Sequence, residues 1–243
     1  FLPGVTLPFY ANAFCAVHRA RRQATRGTFD SAAWWNSCMD FVRLIELSGG
    51  RFHVTGMSHM DNIDGPVVFV ANHMGTLETF TLPAMIMPRI PKVTFVVKQS
   101  LVEQPMFGPI MRATQPIAVG RTNPREDLRT VLELGRQKLA AGVSVIVFPQ
   151  STRRPVFDRA KFNSLGAKLA SRAGATVVPV ALRTDFWGTG RLLKDFGRIH
   201  PSREIHFAFA PPQPKGTPAK QCQEAVVSFV ADRLASWGVP CLG

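Results

Sequence analysis

Three runs constrain this chain most: Val67-Val68-Phe69-Val70-Ala71, Val143-Ser144-Val145-Ile146-Val147-Phe148 and Val177-Val178-Pro179-Val180-Ala181-Leu182. Each reads as a buried strand, with no regular exchange of apolar and polar positions. The first two stop in polar loops, Asn72-His73-Met74-Gly75-Thr76-Leu77-Glu78 and Pro149-Gln150-Ser151-Thr152-Arg153-Arg154. From Phe52 onward strands are expected at about 52–56, 67–71, 93–97, 116–119, 143–148, 177–182 and 204–209. Helices are expected at about 76–87, 105–113, 124–141, 161–173 and 221–237. This alternation implies an α/β fold with a mostly parallel sheet flanked by helices. In such sheets ligands bind beyond the carboxyl ends of the strands. His73 and the loop from Gln150 to Arg153 both follow strand carboxyl ends, which fits one shared site.

Ahead of the sheet, helices are expected at about 9–24 and 31–47, joined by a basic bend. Thr28-Phe29-Asp30 offers a helix N-cap, and Gly49-Gly50 a stop. Pro3 and Pro8 argue against an unbroken helix from residue 1. Residues 1–50 are taken as an amino-terminal helical hairpin that associates with a membrane, and 51–243 as the α/β domain. A hairpin that simply covers the domain is the alternative. At 243 residues the chain suits one domain with a short appendage.

His73 and Glu78 are five positions apart. On one helix they would diverge by roughly 140°. They meet only if His73 lies in the turn and Glu78 in the helix that follows. A general base held by a second, acidic group has this form. A strand-end histidine that merely caps a turn is the bland alternative. Arg153 and Arg154, with hydroxyls and an amide beside them, suit a phosphate or carboxylate, or else form a solvated basic turn.

Together the segments resemble the glycerophosphate/lysophospholipid acyltransferase family, the PlsC-like enzymes. The resemblance runs from about Val54 to Pro212. The family's Asn-His-x4-Asp block is matched by Asn72, His73 and Glu78. Its second block is similar to Lys98-Gln99-Ser100-Leu101, then Pro105-Met106-Phe107-Gly108, closing at Gly120-Arg121. Its Phe-Pro-Glu-Gly-Thr-Arg block is similar to Phe148-Pro149-Gln150-Ser151-Thr152-Arg153, and its Val-Pro-Val strand to Val178-Pro179-Val180. The resemblance implies O-acyl transfer from acyl-CoA or acyl carrier protein to a hydroxyl of a lysophospholipid such as 1-acyl-glycerol-3-phosphate or a related acidic lysolipid. His73 and Glu78 are then the catalytic pair. Asn72, Lys98, Arg121, Gln150, Ser151, Thr152 and Arg153 are the substrate-binding residues. The same dyad suits a thioester or lysolipid hydrolase, and a non-catalytic lipid-binding protein is a third possibility.

Three positions depart from the family pattern. Glu78 stands for Asp, keeping the carboxylate one methylene farther out. Gln150 and Ser151 stand for Glu and Gly beside Arg153. Loss of that anion is expected to leave Arg153 less neutralised, and the acceptor to carry an acidic group but not necessarily to be the usual lysophosphatidate.

Net charge is +13, from 29 Lys and Arg against 16 Asp and Glu, and it attracts polyanions. No zinc-finger, helix-turn-helix or aromatic-interleaved pattern supports nucleic acid, so the expected partners are membrane lipid and an acyl donor. The widely spaced cysteines 15, 38, 222 and 241 suit a reducing compartment, and neither metal nor cofactor is expected. The expected location is the cytoplasmic face of the inner or plasma membrane.

Overall fold

The computed structural model describes residues 4–150, 152–190 and 193–243. Its elements in chain order are α1 (Thr6–Thr25), α2 (Ser31–Leu47), β1 (Phe52–Thr55), β2 (Val67–Ala71), α3 (Leu77–Ile86), β3 (Val93–Lys98), α4 (Gln99–Glu103), α5 (Gly108–Ala113), β4 (Ile117–Val119), α6 (Pro124–Ala140), β5 (Ser144–Val147), β6 (Phe157–Asp158), α7 (Leu165–Ala173), β7 (Thr176–Arg183), β8 (Ile205–Phe209), α8 (Ala219–Ser236) and β9 (Cys241–Leu242).

Seven strands form one sheet in the order β1-β8-β7-β2-β5-β3-β4. Neighbours run parallel except β7 and β8. Every residue of β2 and β5 is buried, because both faces of the sheet are covered. On one face Val67, Phe69 and Ala71 of β2 share a core with α1, α2 and α3. On the other, Val68 and Val70 pack with residues of α6, α7 and α8. Strand alternation divides the two sets. Close approach is needed at Gly166 of α7, where an added Cβ would lie 2.4 Å from Val70.

α1 and α2 do not stand apart from the sheet. Phe9, Ala13, Val17 and Ala20 form one buried stripe of α1. Asp30 caps α2 by accepting from the Ala33 amide at 2.8 Å. Phe9 packs edge-on against Trp187, with ring centroids 4.8 Å apart, and Phe41 stacks on Phe80 at 4.1 Å. These rings join α1, α2, α3 and the loop after β7.

Two expected helices are corrected. The helix expected at 105–113 begins only at Gly108, and a separate helix, α4, ends at Glu103. Pro105 forces Gln104 into an extended conformation (φ −63°, ψ 133°), which ends α4 before it. The helix expected at 161–173 begins only at Leu165, where Asn163 Oδ1 accepts from the Leu165 amide at 2.9 Å. The small parallel pair β6/β9 had no sequence signature, since two-residue strands show no period.

Candidate active site

β2 lies between β7 and β5, so the loops leaving these three carboxyl ends converge. His73 follows β2 by two residues, and Glu78 lies in the first turn of α3. The turn brings Glu78 Oε1 to 2.9 Å from His73 Nδ1. Glu78 has no solvent exposure. Its Oε1 also accepts from the backbone amides of Met74 at 2.7 Å and Gly75 at 2.8 Å, while Oε2 accepts from the Thr184 hydroxyl at 2.6 Å. Burial alone would push its pKa up. The hydrogen bond and charge of His73, with the bonds from Thr184 and Gly75, outweigh burial and hold the carboxyl below its usual range. An ionised carboxylate only accepts, so Nδ1 carries the hydrogen between them, and in the neutral imidazole Nε2 is the nitrogen with the lone pair. The His73 side chain is 15% exposed, which leaves that edge reachable.

The loop after β5 holds His73 from behind. Gln150 Oε1 accepts from the His73 amide at 2.7 Å, and the Arg154 amide donates to the His73 carbonyl at 3.0 Å. The Phe148 ring stacks on the imidazole with centroids 4.4 Å apart. Asn72 fixes the neighbouring strand. Its amide donates to the Leu182 carbonyl and its carbonyl accepts from the Leu182 amide, both at 2.8 Å.

These contacts correct two expectations. Asn72 and Gln150 are each 2% exposed, Asn72 bonding Leu182 through both side-chain amide atoms and Gln150 turning Oε1 to the His73 amide, so neither is placed to meet a substrate. Arg153 is also not left less neutralised. Its guanidinium donates to Thr76 Oγ1 and to Asp195 Oδ1, so a different carboxylate takes the place expected of the third block. Thr152 is exposed near the site, and Ser151 lies outside the described residues.

Lys98 is exposed at the end of β3, and Arg121 follows β4. At about 4.8 Å per strand they stand roughly 10 and 14 Å along the sheet edge from the β2 end. Arg121 adopts a positive φ of 61°, rare for a side-chain-bearing residue, and its amide donates to Asp127 Oδ1 at 3.3 Å. Burial around its guanidinium lowers its pKa, with the charge of Asp127 opposing. Thr76, Phe148, Thr184 and Asp195 are site residues that sequence reasoning missed. Phe148 and Thr184 follow strand ends, a usable signal, whereas Asp195 lies in a loop with none. Two concavities of about 520 and 450 Å³ lie at α1/α5 and α1/α2, away from the dyad.

A family model described as Acyltransferase matches residues 51–183. The chain belongs to the acyltransferase family. It resembles the 1-acyl-sn-glycerol-3-phosphate acyltransferase of Pseudomonas aeruginosa, 33% identical over 148 residues that span 61% of this chain and 54% of that protein. Lysophosphatidylcholine acyltransferase 2 of Danio rerio is 24% identical over 140 residues, 54% of this chain and 25% of that protein. The chain spans about half or less of the length of the first curated relatives it matches. The crystal structure of the 1-acyl-sn-glycerophosphate acyltransferase PlsC from Thermotoga maritima has the same fold: TM-score 0.68, 19% identity, covering 96% of this acyltransferase-family chain and 94% of that one.

Proposed function

We propose that this protein transfers a fatty acyl group from acyl-CoA or acyl carrier protein to a hydroxyl of a lysophospholipid. The observation that carries this reading is the buried, ionised Glu78 fixed to His73 Nδ1. His73 Nε2 takes the proton as the acceptor oxygen attacks the thioester carbonyl. Glu78 steadies the imidazolium that forms. Collapse of the tetrahedral intermediate forms the C–O ester and breaks the C–S bond. The departing thiolate then recovers the proton from His73. No protein nucleophile is required, because the acceptor supplies the attacking oxygen.

The cationic edge of Lys98, Arg121 and Arg154 supports binding of the acceptor's acidic group. Curated relatives named for acylation of 1-acyl-sn-glycerol-3-phosphate and of lysophosphatidylcholine support the substrate class. Among the described residues, no helix is long and apolar enough to cross a membrane. We infer from its exposed apolar face that α1 lies at a membrane surface. Its Leu7 and Phe14 are 77% and 58% exposed, seven residues apart on one helix face, with arginines at its carboxyl end.

Mass spectrometry of lipids formed from acyl-CoA and a lysophospholipid panel tests the reading. Acylated lipid is expected from wild type and none from His73→Ala. Release of free fatty acid alone, unchanged by added acceptor, would identify a hydrolase instead.

A further inference from the structure

Asp195 is the feature that the acyl-transfer reading does not absorb. Its Oδ1 accepts from the Arg153 guanidinium and from Thr76 Oγ1, the latter at 3.2 Å. Thr76 is three residues from His73, so a carboxylate stands beside the dyad. Its place is built rather than incidental. The Asp195 carbonyl accepts from Trp187 Nε1 at 3.1 Å and from the Tyr10 hydroxyl at 3.4 Å. The same hydroxyl donates to the Gly197 carbonyl at 2.6 Å. The loop closes tightly on itself, since a Cβ on Gly197 would lie 1.7 Å from the Gly188 carbonyl oxygen. Two side chains from the core thus pin the backbone that carries this aspartate.

The Asp195 side chain is 54% exposed and that of Arg153 21%, so the carboxylate is the more exposed half of an ion pair. A phosphate monoester carries nearly two negative charges near neutral pH. At this pair its second charge would face the Asp195 carboxylate as well as Arg153. A zwitterionic phosphodiester has one anionic charge for Arg153 and a cation for Asp195.

We propose that Asp195 makes this site select lysophospholipids whose headgroup carries an ammonium group beside a phosphodiester, over those that end in a bare phosphate. The inference rests on the acyl-transfer reading and names its acceptor class.

The test compares kcat/KM, with one acyl-CoA, for 1-acyl forms of phosphatidylethanolamine, phosphatidylglycerol and phosphatidate in neutral-detergent micelles. Wild type is expected to favour the ethanolamine acceptor over both others by about tenfold or more. Asp195→Asn should erase the preference, and Asp195→Glu should keep most of it. Ratios between acceptors are independent of how much of each variant is folded. A wild-type preference for the phosphatidate or glycerol acceptor, or an Asn variant that slows all three equally, overturns the proposal while leaving acyl transfer intact. Transfer to none of them removes the acyl-transfer reading and this inference with it.

Discussion

Glu78 Oε1 and His73 Nδ1 stand 2.9 Å apart, and the carboxylate takes four hydrogen bonds without any exposure to solvent. The backbone amides of Met74 and Gly75, in the turn before α3, are two of its donors. One side chain thus orients the imidazole and holds the turn that carries it. Replacing it disturbs chemistry and fold together.

Glu78→Gln removes the charge that holds the imidazolium. A fall in kcat of about 10²–10⁴-fold is expected, with a smaller change in KM. Glu78→Asp should be milder, because the carboxylate remains. Steady-state kinetics on all three proteins checks this, and full activity in the Gln variant would remove Glu78 from the mechanism.

The depressed pKa of Glu78 has a sign in stability. Unfolding returns the group to its ordinary value near 4.5, so the unfolded chain binds a proton first as pH falls. The contribution is complete above about pH 4.5 and is lost as pH drops toward the lower folded value. Melting temperatures taken from pH 7 to pH 3 should fall for wild type. The Glu78→Gln variant should start lower and fall less steeply.

Gln150 accepts from the His73 amide and does not touch Arg153, so Gln150→Glu should alter every acceptor by the same factor. Selectivity that shifts between acceptors in this variant would return Gln150 to the binding surface. Gln150→Ala leaves the buried His73 amide without its partner and should cost about 1–3 kcal/mol in urea unfolding.

Asn72→Ala strands both polar groups of Leu182 at the end of β7. A loss of about 2–4 kcal/mol is expected, with a matching drop in the urea midpoint. Residual activity per folded molecule should survive better than in His73→Ala, since Asn72 acts through the strand end.

Leu7→Glu combined with Phe14→Glu alters only exposed faces of α1. Co-sedimentation with anionic vesicles should weaken while the melting temperature holds. Removing the whole helix is a poorer test, because Phe9 packs on Trp187 and belongs to the core. Unchanged vesicle binding would exclude this face of α1 as the membrane contact.

The sequence by itself determined the sheet and the pairing of His73 with Glu78. Val67–Ala71 and the run ending at Phe148 have no polar face to expose, so they had to become strands covered on both sides. The five-residue spacing then fixed a turn followed by a helix. Local rules were enough, because both features depend on neighbours along the chain. They do not reach α4, which Pro105 ends by holding Gln104 extended, nor the start of α5 at Gly108. What Asn72, Gln150 and Arg153 do was decided by tertiary structure alone. Their partners are Leu182, the His73 amide and Asp195, which are 110, 77 and 42 residues away. An amide or guanidinium reads the same in sequence whether it faces a ligand or a distant backbone. Only the strand order β7-β2-β5, which sets their loops side by side, distinguishes the two.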